Sequence, residues 1–336
     1  MRLRHLHAQQ YARFALPENG AKWTLKSVMS EKLFRVLCLD GGGAKGFYTL
    51  GVLREIEALI ECGIHERFDL IFGTSTGSII GTMLALGKSV PEIIALYQEH
   101  VPTVMKNNNA GGRSAALAKL AAAIYGDAMF TDVKTNVGVV ATKWLLEKPM
   151  IFKGSITQAH GMKGSFVPGF GVKIGDAVQA SCSAYPYFNR KTVTTAAGDN
   201  IELIDGGFCA NNPTLYAIAD ATVAMKIPPE QIRVVSLGCG NYPPPPVKPW
   251  NASWWIEKTP GVQLLQKTLE INTQSMDQLR AILYKHIQTI RISDSFSEPA
   301  MATDLFEHDL KKLNILMQRG VHSFAQHEQT LQALLL

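Results

Sequence analysis

Gly73-Thr74-Ser75-Thr76-Gly77 places a serine between two glycines where one hydrophobic period gives way to another. Before it, Phe68–Phe72 is an apolar run of strand length; after it, Ser78–Gly87 is an apolar run of helical length closed by glycine. A turn this tight holds its middle residue in a strained backbone, and the flanking glycines remove side chains that would collide. The serine hydroxyl then stands in the open at a helix N-terminus, where the dipole favours a developing negative charge. Such a turn mounts a nucleophile, here Ser75. Small residues also gather in ordinary packed strand–helix turns, so the pentapeptide alone leaves that structural role open.

A second glycine-rich turn lies about thirty residues upstream, in Asp40-Gly41-Gly42-Gly43-Ala44-Lys45-Gly46. Its Gly41-x-Gly43-x-x-Gly46 spacing, after a strand-like run and before a helical one, also suits a dinucleotide pyrophosphate. That chemistry needs an acid at the end of the second strand to hold a ribose. Here the second strand ends in the serine pentapeptide, and its acid, Asp69, sits at the opposite end. A Walker-type phosphate loop is also missing from the sequence. Beside a nucleophilic serine, the same glycines serve differently. Attack on an ester makes an oxyanion that needs two or more N–H donors within about 3 Å. Gly41, Gly42 and Gly43 can point successive N–H groups at it, and the Thr76 N–H is a further donor. Lys45 puts a cation nearby that suits an anionic substrate, or else an ordinary surface.

The serine also needs a base. The chain has nine histidines, so a Ser-His-Asp triad is open in principle. None of them, however, stands in a glycine-framed turn at a strand end. Asp205 does, in Leu203-Ile204-Asp205-Gly206-Gly207. An aspartate before two glycines is often only a turn former; pairing with Ser75 would make it a base. The position of Ser75 matters too, since it follows only the second strand of the core. A serine of the α/β-hydrolase type sits later, behind a separate oxyanion loop.

The elements that must carry these turns follow from hydrophobic period. Phe34–Leu39 reads as a strand, Leu50, Leu53, Ile56 and Ile60 as a helix face, and Met150–Phe152, Ile201–Ile204 and Ile232–Leu237 as further strands. The βαβα order, with glycine at several strand ends, predicts a parallel sheet covered by helices, with loops forming a site along one edge. The polar, glycine-rich start of 106–128 predicts a cover over a site or a plain surface helix, and the five glycines of 161–175 a loop that can flank one. Tyr242–Pro246 reads as a stiff boundary, Trp250, Trp254 and Trp255 as core packing or an interfacial contact, and residues 262–336 as helices.

Bulk composition narrows the class. The chain has 336 residues, 46% hydrophobic and 18% charged, and lacks an apolar run long enough to span a bilayer. Five scattered cysteines without a CxxC pair argue against disulfides and zinc and for a reducing cytosol. Most of the net charge of +5 lies in residues 1–30, with Arg2, Arg4, Arg13, Lys22 and Lys26 against Glu18. The body is then nearly neutral, which argues against DNA or RNA as a partner. The basic extension is expected to be disordered or non-native, with Met29 a candidate start. The expected divisions are 1–30, a catalytic core over 31–240, and a mostly helical region over 241–336 packed on the core.

Taken together, the glycine block, the serine pentapeptide, Ala180-Ser181-Cys182-Ser183-Ala184-Tyr185-Pro186, and Asp205-Gly206-Gly207 leading into Ala210-Asn211-Asn212-Pro213 resemble the patatin-like phospholipases over about residues 33–240. The resemblance implies a three-layer α/β/α sandwich with a mainly parallel central sheet. It also implies a Ser75–Asp205 dyad without histidine, an oxyanion hole at Gly41, Gly42 and Gly43, and no metal or cofactor. Lys45 stands where the family often has arginine; the charge is kept but the planar fork is lost, which puts a bidentate phosphate contact in question. Asp205–Thr214 and Asp304–Asn314 are further similar to bacterial effector phospholipases of antiphage signalling systems (CBASS). That likeness implies cyclic-dinucleotide activation and membrane phospholipid as substrate. It also implies a cytoplasmic chain that meets the inner membrane face peripherally, and it is compatible with a homo-oligomer. A constitutive housekeeping lipase and a lipid-binding module without chemistry remain the alternatives. No nucleotide-binding motif is readable, so the sequence places no activator site.

Overall fold

In the computed structural model, which describes residues 32–161, 163–243 and 260–336, the run Phe34–Leu39 forms β1. The basic extension 1–30, the prolines after Pro243, and Trp250, Trp254 and Trp255 lie outside the described residues. Alternate side chains of β1 are apolar on both sides: Leu37 and Leu39 enter one buried cluster, Val36 and Cys38 another. A strand buried on both faces belongs in the middle of a sheet covered by helices.

The chain continues through α1 (Gly46–Ile60), α2 (Ile64–Arg67), β2 (Leu70–Thr74) and α3 (Thr76–Ala85). Two longer helices follow. A Ser89–Glu92 capping box starts α4 (Val90–Met105), and Asn109 caps α5 (Ala110–Tyr125). Next come the hairpin β3 (Asn136–Lys143) and β4 (Lys148–Lys153), then α6 (Ile174–Ser181), β5 (Lys191–Thr194), β6 (Asn200–Asp205), α7 (Gly207–Ala210), α8 (Thr214–Ala219) and β7 (Ile232–Leu237). The described C-terminal elements are α9 (Pro260–Leu283), β8 (Gln288–Ile292) and α10 (Leu310–Leu335).

The strands form one mixed sheet in the order β5-β6-β3-β2-β1-β7-β8, with β4 on the remaining side of β3. Pairings from β3 through β8 along that order are parallel; those of β4, β5 and β6 are antiparallel. Helices α1, α3 to α6 and α10 cover one face, while α7 and α8 cover the other. The three-layer α/β/α sandwich expected from the sequence is present. The C-terminal region differs from its helical reading, because Gln288–Ile292 is a strand that extends the central sheet beside β7. At five residues it is too short to leave a periodic signal between two long helices.

Two features of the sheet place the site. Along one edge of β3, β2 pairs only as far as Val140, opposite Thr74, and β6 takes over at Ala141, opposite Asp205. The other edge is filled by β4 over Gly138–Lys143. The ends of β2 and β6 therefore meet at consecutive positions of a third strand. At the C-terminal end of β1, Asp40 is buried and ion-paired with Arg291 of β8, whose Nη1 also donates to Ser236 Oγ of β7 at 2.9 Å. Removing the cation alone would leave a buried, unpaired carboxylate. Arg291→Met is expected to cost about 3–5 kcal/mol in urea unfolding, and the double variant Arg291→Met/Asp40→Asn to recover most of it. Equal stability of the single variant and the parent would show that the pair does not hold this edge.

Candidate active site

Ser75 has φ 51° and ψ −124°, a backbone that L-residues rarely adopt and that costs of the order of 1–3 kcal/mol. The flanking glycines are required by close approach. A Cβ on Gly73 would lie 2.3 Å from the Gly77 carbonyl oxygen, and one on Gly77 2.2 Å from that of Leu39. Hydrogen bonds hold the turn from both sides. The Ser75 carbonyl accepts from Ser78 N–H at 2.8 Å and Ser78 Oγ–H at 2.7 Å. Its N–H donates to Ser181 Oγ at 2.9 Å, and Ser181 Oγ donates in turn to the Val140 carbonyl of β3 at 2.6 Å.

Asp205 closes β6 and reaches the same point. Ser75 Oγ donates to Asp205 Oδ2 at 2.7 Å, and the other carboxylate oxygen accepts from Gly207 N–H at 2.7 Å. The turn is anchored by Asp205 N–H to the Ser183 carbonyl at 2.9 Å and Gly206 N–H to the Ser181 carbonyl at 3.2 Å. The block Ala180–Pro186 thus fastens both halves of the pair. Ser181 and Ser183 had no role in the sequence reading, although their block was singled out there. Asp205 is 2% exposed, and burial raises its pKa from 3.8 to about 6 against the lowering effect of the Gly207 and Ser75 hydrogen bonds.

Gly41, Gly42, Gly43, Lys45, Ser75, Thr76 and Asp205 all line one cavity. Among the described residues no histidine lines it. The glycines do not act alike: Gly41 N–H already donates to the Asn211 carbonyl at 3.0 Å, whereas the N–H groups of Gly42 and Gly43 have no backbone acceptor among the described residues. Gly43 sits at φ +57°, and its space is bounded by the Leu305 carbonyl, which accepts Ala44 N–H at 3.0 Å. Asn211 braces the loop further, donating from Nδ2 to the Gly41 carbonyl at 3.2 Å and to Thr273 Oγ1 of α9 at 2.7 Å. Asn211 and Leu305 were quoted in the sequence motifs without a structural task. Both fasten the glycine loop to later parts of the chain.

Beyond the polar end, the wall is apolar. Val101, Val104 and Met105 of α4 and Leu117 and Leu120 of α5 line it. The 106–128 segment therefore supplies cavity wall rather than only surface. The five-glycine loop 161–175 contributes no lining residue; it packs at the far end of β4, where Phe170 meets Phe152 edge-on. From α9 come Gln266, Leu269 and Glu270, and from the segment before α10 come Leu305 and Phe306. The Phe306 ring rests between Arg113, 4.5 Å from its centroid, and Tyr187, 5.1 Å away. A nucleophile touching a buried carboxylate, free N–H donors beside it and a long apolar wall together suit acyl transfer from an ester with a hydrocarbon chain.

Comparison with known proteins agrees in kind. Residues 37–218 match the family described as patatin-like phospholipase. The chain is 61% identical over 307 residues to the cUMP-AMP-activated phospholipase of Escherichia coli, covering 91% of this chain and 95% of that one. It is 30% identical over 209 residues to the cGAMP-activated phospholipase of Vibrio cholerae, covering 55% and 56%. With human calcium-independent phospholipase A2-gamma it shares 27% over 228 residues, 62% of this chain and 28% of that one.

The raised pKa of Asp205 carries a stability consequence with a definite sign. The folded state holds this proton more tightly than the unfolded chain, so the cost of burying the carboxylate is absent below about pH 4. It grows as pH rises and is complete above about pH 6. Asp205→Asn should therefore stabilise the fold at pH 7 by up to about 3 kcal/mol, at 1.36 kcal/mol per unit, with the gain vanishing near pH 4. Urea titrations of both proteins at the two pH values measure this; a variant less stable at pH 7 would contradict it.

Proposed function

Because the chain belongs to the patatin-like phospholipase family, we propose that Ser75 and Asp205 are its catalytic dyad and that it releases fatty acid from membrane phospholipids. The observation that carries this reading is the 2.7 Å contact from Ser75 Oγ to a buried carboxylate at the end of an apolar cavity. Ser75 Oγ attacks the ester carbonyl carbon while its proton passes to Asp205. The oxyanion accepts from Gly42 and Gly43 N–H, with Thr76 N–H at the start of α3 as the third donor. Gly41 then serves as a brace, since its own N–H is taken. Collapse expels the lysophospholipid oxygen, which takes the proton from Asp205 and leaves an acyl-serine. Water then loses a proton to Asp205 and attacks the acyl carbon, and collapse frees the fatty acid as Asp205 returns that proton to Ser75 Oγ. The oxyanion is held by backbone N–H dipoles and the proton is carried by one carboxylate, so these steps need no cofactor.

The wall from α4 and α5 takes the acyl chain, and the buried cation of Lys45 suits the phosphodiester. The 61% identity to a cUMP-AMP-activated phospholipase supports a cyclic dinucleotide as activator of this chain. An antiphage effector working at the inner face of the cell membrane is the setting in which such control makes sense.

Ser75→Ala and Asp205→Asn are each expected to lower ester turnover at least about a thousandfold in proteins that still melt cooperatively. A fluorophosphonate should label the parent and not Ser75→Ala; full activity in either folded variant would overturn the dyad. Because the base must be ionised, kcat/KM on a soluble ester should climb to a plateau with its midpoint near the Asp205 pKa of about 6. Turnover measured across a panel of cyclic dinucleotides should rise with at least one of them. High activity indifferent to all would favour a constitutive lipase.

A further inference from the structure

The β3–β4 hairpin ends in Lys143-Trp144-Leu145-Leu146-Glu147-Lys148. Leu145 is 81% exposed, Leu146 61% and Trp144 36%. Three consecutive large apolar residues at the tip of a hairpin are an unusual use of surface and mark a contact site. The tip is not loose. Trp144 N–H donates to the Glu202 carbonyl of β6 at 2.9 Å, and the Trp144 ring lies 5.5 Å from the half-exposed Tyr185 ring. Arg190 stacks on both rings at 5.0 and 5.4 Å and pairs with Glu202 at 3.2 Å.

The register fixes where this tip points. Asp205 pairs with Ala141, so Trp144 stands three residues further along the chain, just past the end of β3 and about 10 Å of extended backbone beyond that pairing, on the same end of the sheet. The charges flanking the tip are informative as well. Lys143 and Lys148 are direct cross-strand partners, a like-charged pairing that costs stability. Neither has an ion pair among the described residues. An anionic surface at the tip would relieve that repulsion while the leucines and Trp144 enter an apolar layer. Tyr185 would sit at the boundary, where amphipathic rings are favoured.

We propose that the Trp144–Leu146 tip, with Lys143 and Lys148, docks the protein onto the headgroup layer of an anionic phospholipid bilayer and so presents the mouth of the Ser75 cavity to its substrate. The proposal rests on the phospholipase reading above and names the surface through which that reading is carried out. A partner protein is disfavoured by size, because three tip residues fall far short of the roughly 800 Å² per side of a stable interface.

The test is flotation of the full chain carrying Ser75→Ala, so that lipid is not consumed. Vesicles of phosphatidylcholine and phosphatidylglycerol at about 3:1 are compared with phosphatidylcholine alone, with and without cUMP-AMP. Binding to the mixed vesicles should fall about tenfold in Leu145→Ser/Leu146→Ser, and the preference for anionic vesicles should vanish in Lys143→Glu/Lys148→Glu. With Ser75 intact, the ratio of vesicle to soluble-ester turnover should fall about tenfold in the leucine variant. Unchanged flotation in the leucine variant, with melting as in the parent, would overturn the proposal. So would a change in oligomeric state with lipid binding retained, which would assign the tip to a second copy. Flotation lost in the variants, without turnover of either substrate by the parent, would support the docking surface and defeat the hydrolase reading alone.

Discussion

One edge of β3 carries two strands end to end, and the site depends on where one stops and the other starts. β2 leaves at Thr74 opposite Val140, and β6 arrives antiparallel at Asp205 opposite Ala141. Strand pairing fixes positions to within a fraction of a residue, and a slip of one would turn the Asp205 side chain to the other face. The Ser75–Asp205 contact is therefore set by backbone ladders rather than by two flexible side chains finding each other. Ser181 completes the arrangement by accepting the Ser75 N–H while donating to Val140 of that same strand. Because the framework is over-determined in this way, it can hold Ser75 at a positive φ that a free turn would relax.

The Asp205 carboxylate is held at a cost, and the cost makes it a stronger base. Exposed, Asp205 would be a weak base with a pKa near 4; at 2% exposure it is a stronger one, near 6. Two donors, Gly207 N–H and Ser75 Oγ–H, keep the burial from going further and leave the group ionised at neutral pH. An aspartate can in this way do the work for which a histidine is more often used.

The parts legible in the sequence were those written in local chemistry. Gly73 and Gly77 announce an approach too close for a Cβ, and Asp205-Gly206-Gly207 announces a turn at a strand end. The β-rich apolar runs Phe34–Leu39 and Ile232–Leu237 marked both strands to the residue. What stayed hidden was long-range. Nothing in Ala180–Pro186 says which N–H its serines will receive, because that depends on a strand pairing formed elsewhere. Gly41 looks like its two neighbours, yet its N–H is claimed by Asn211, 170 positions away in the chain. Arg291 lies in a strand too short to be periodic, flanked by helices whose pattern dominates, and its partner Asp40 is visible only in three dimensions.

Arg291 and Leu305 also set the order in which this protein comes into being. Ser75 and Asp205 both emerge from the ribosome well before residue 291, but at that stage Asp40 lacks the Arg291 cation and the glycine loop lacks the carbonyl that receives Ala44. The contacts that brace the glycine loop and the end of β1 join chain positions some 250 residues apart, and such closures come late in folding. A nascent or prematurely terminated chain that ends before residue 291 therefore carries Ser75 and Asp205 with their surroundings unbraced.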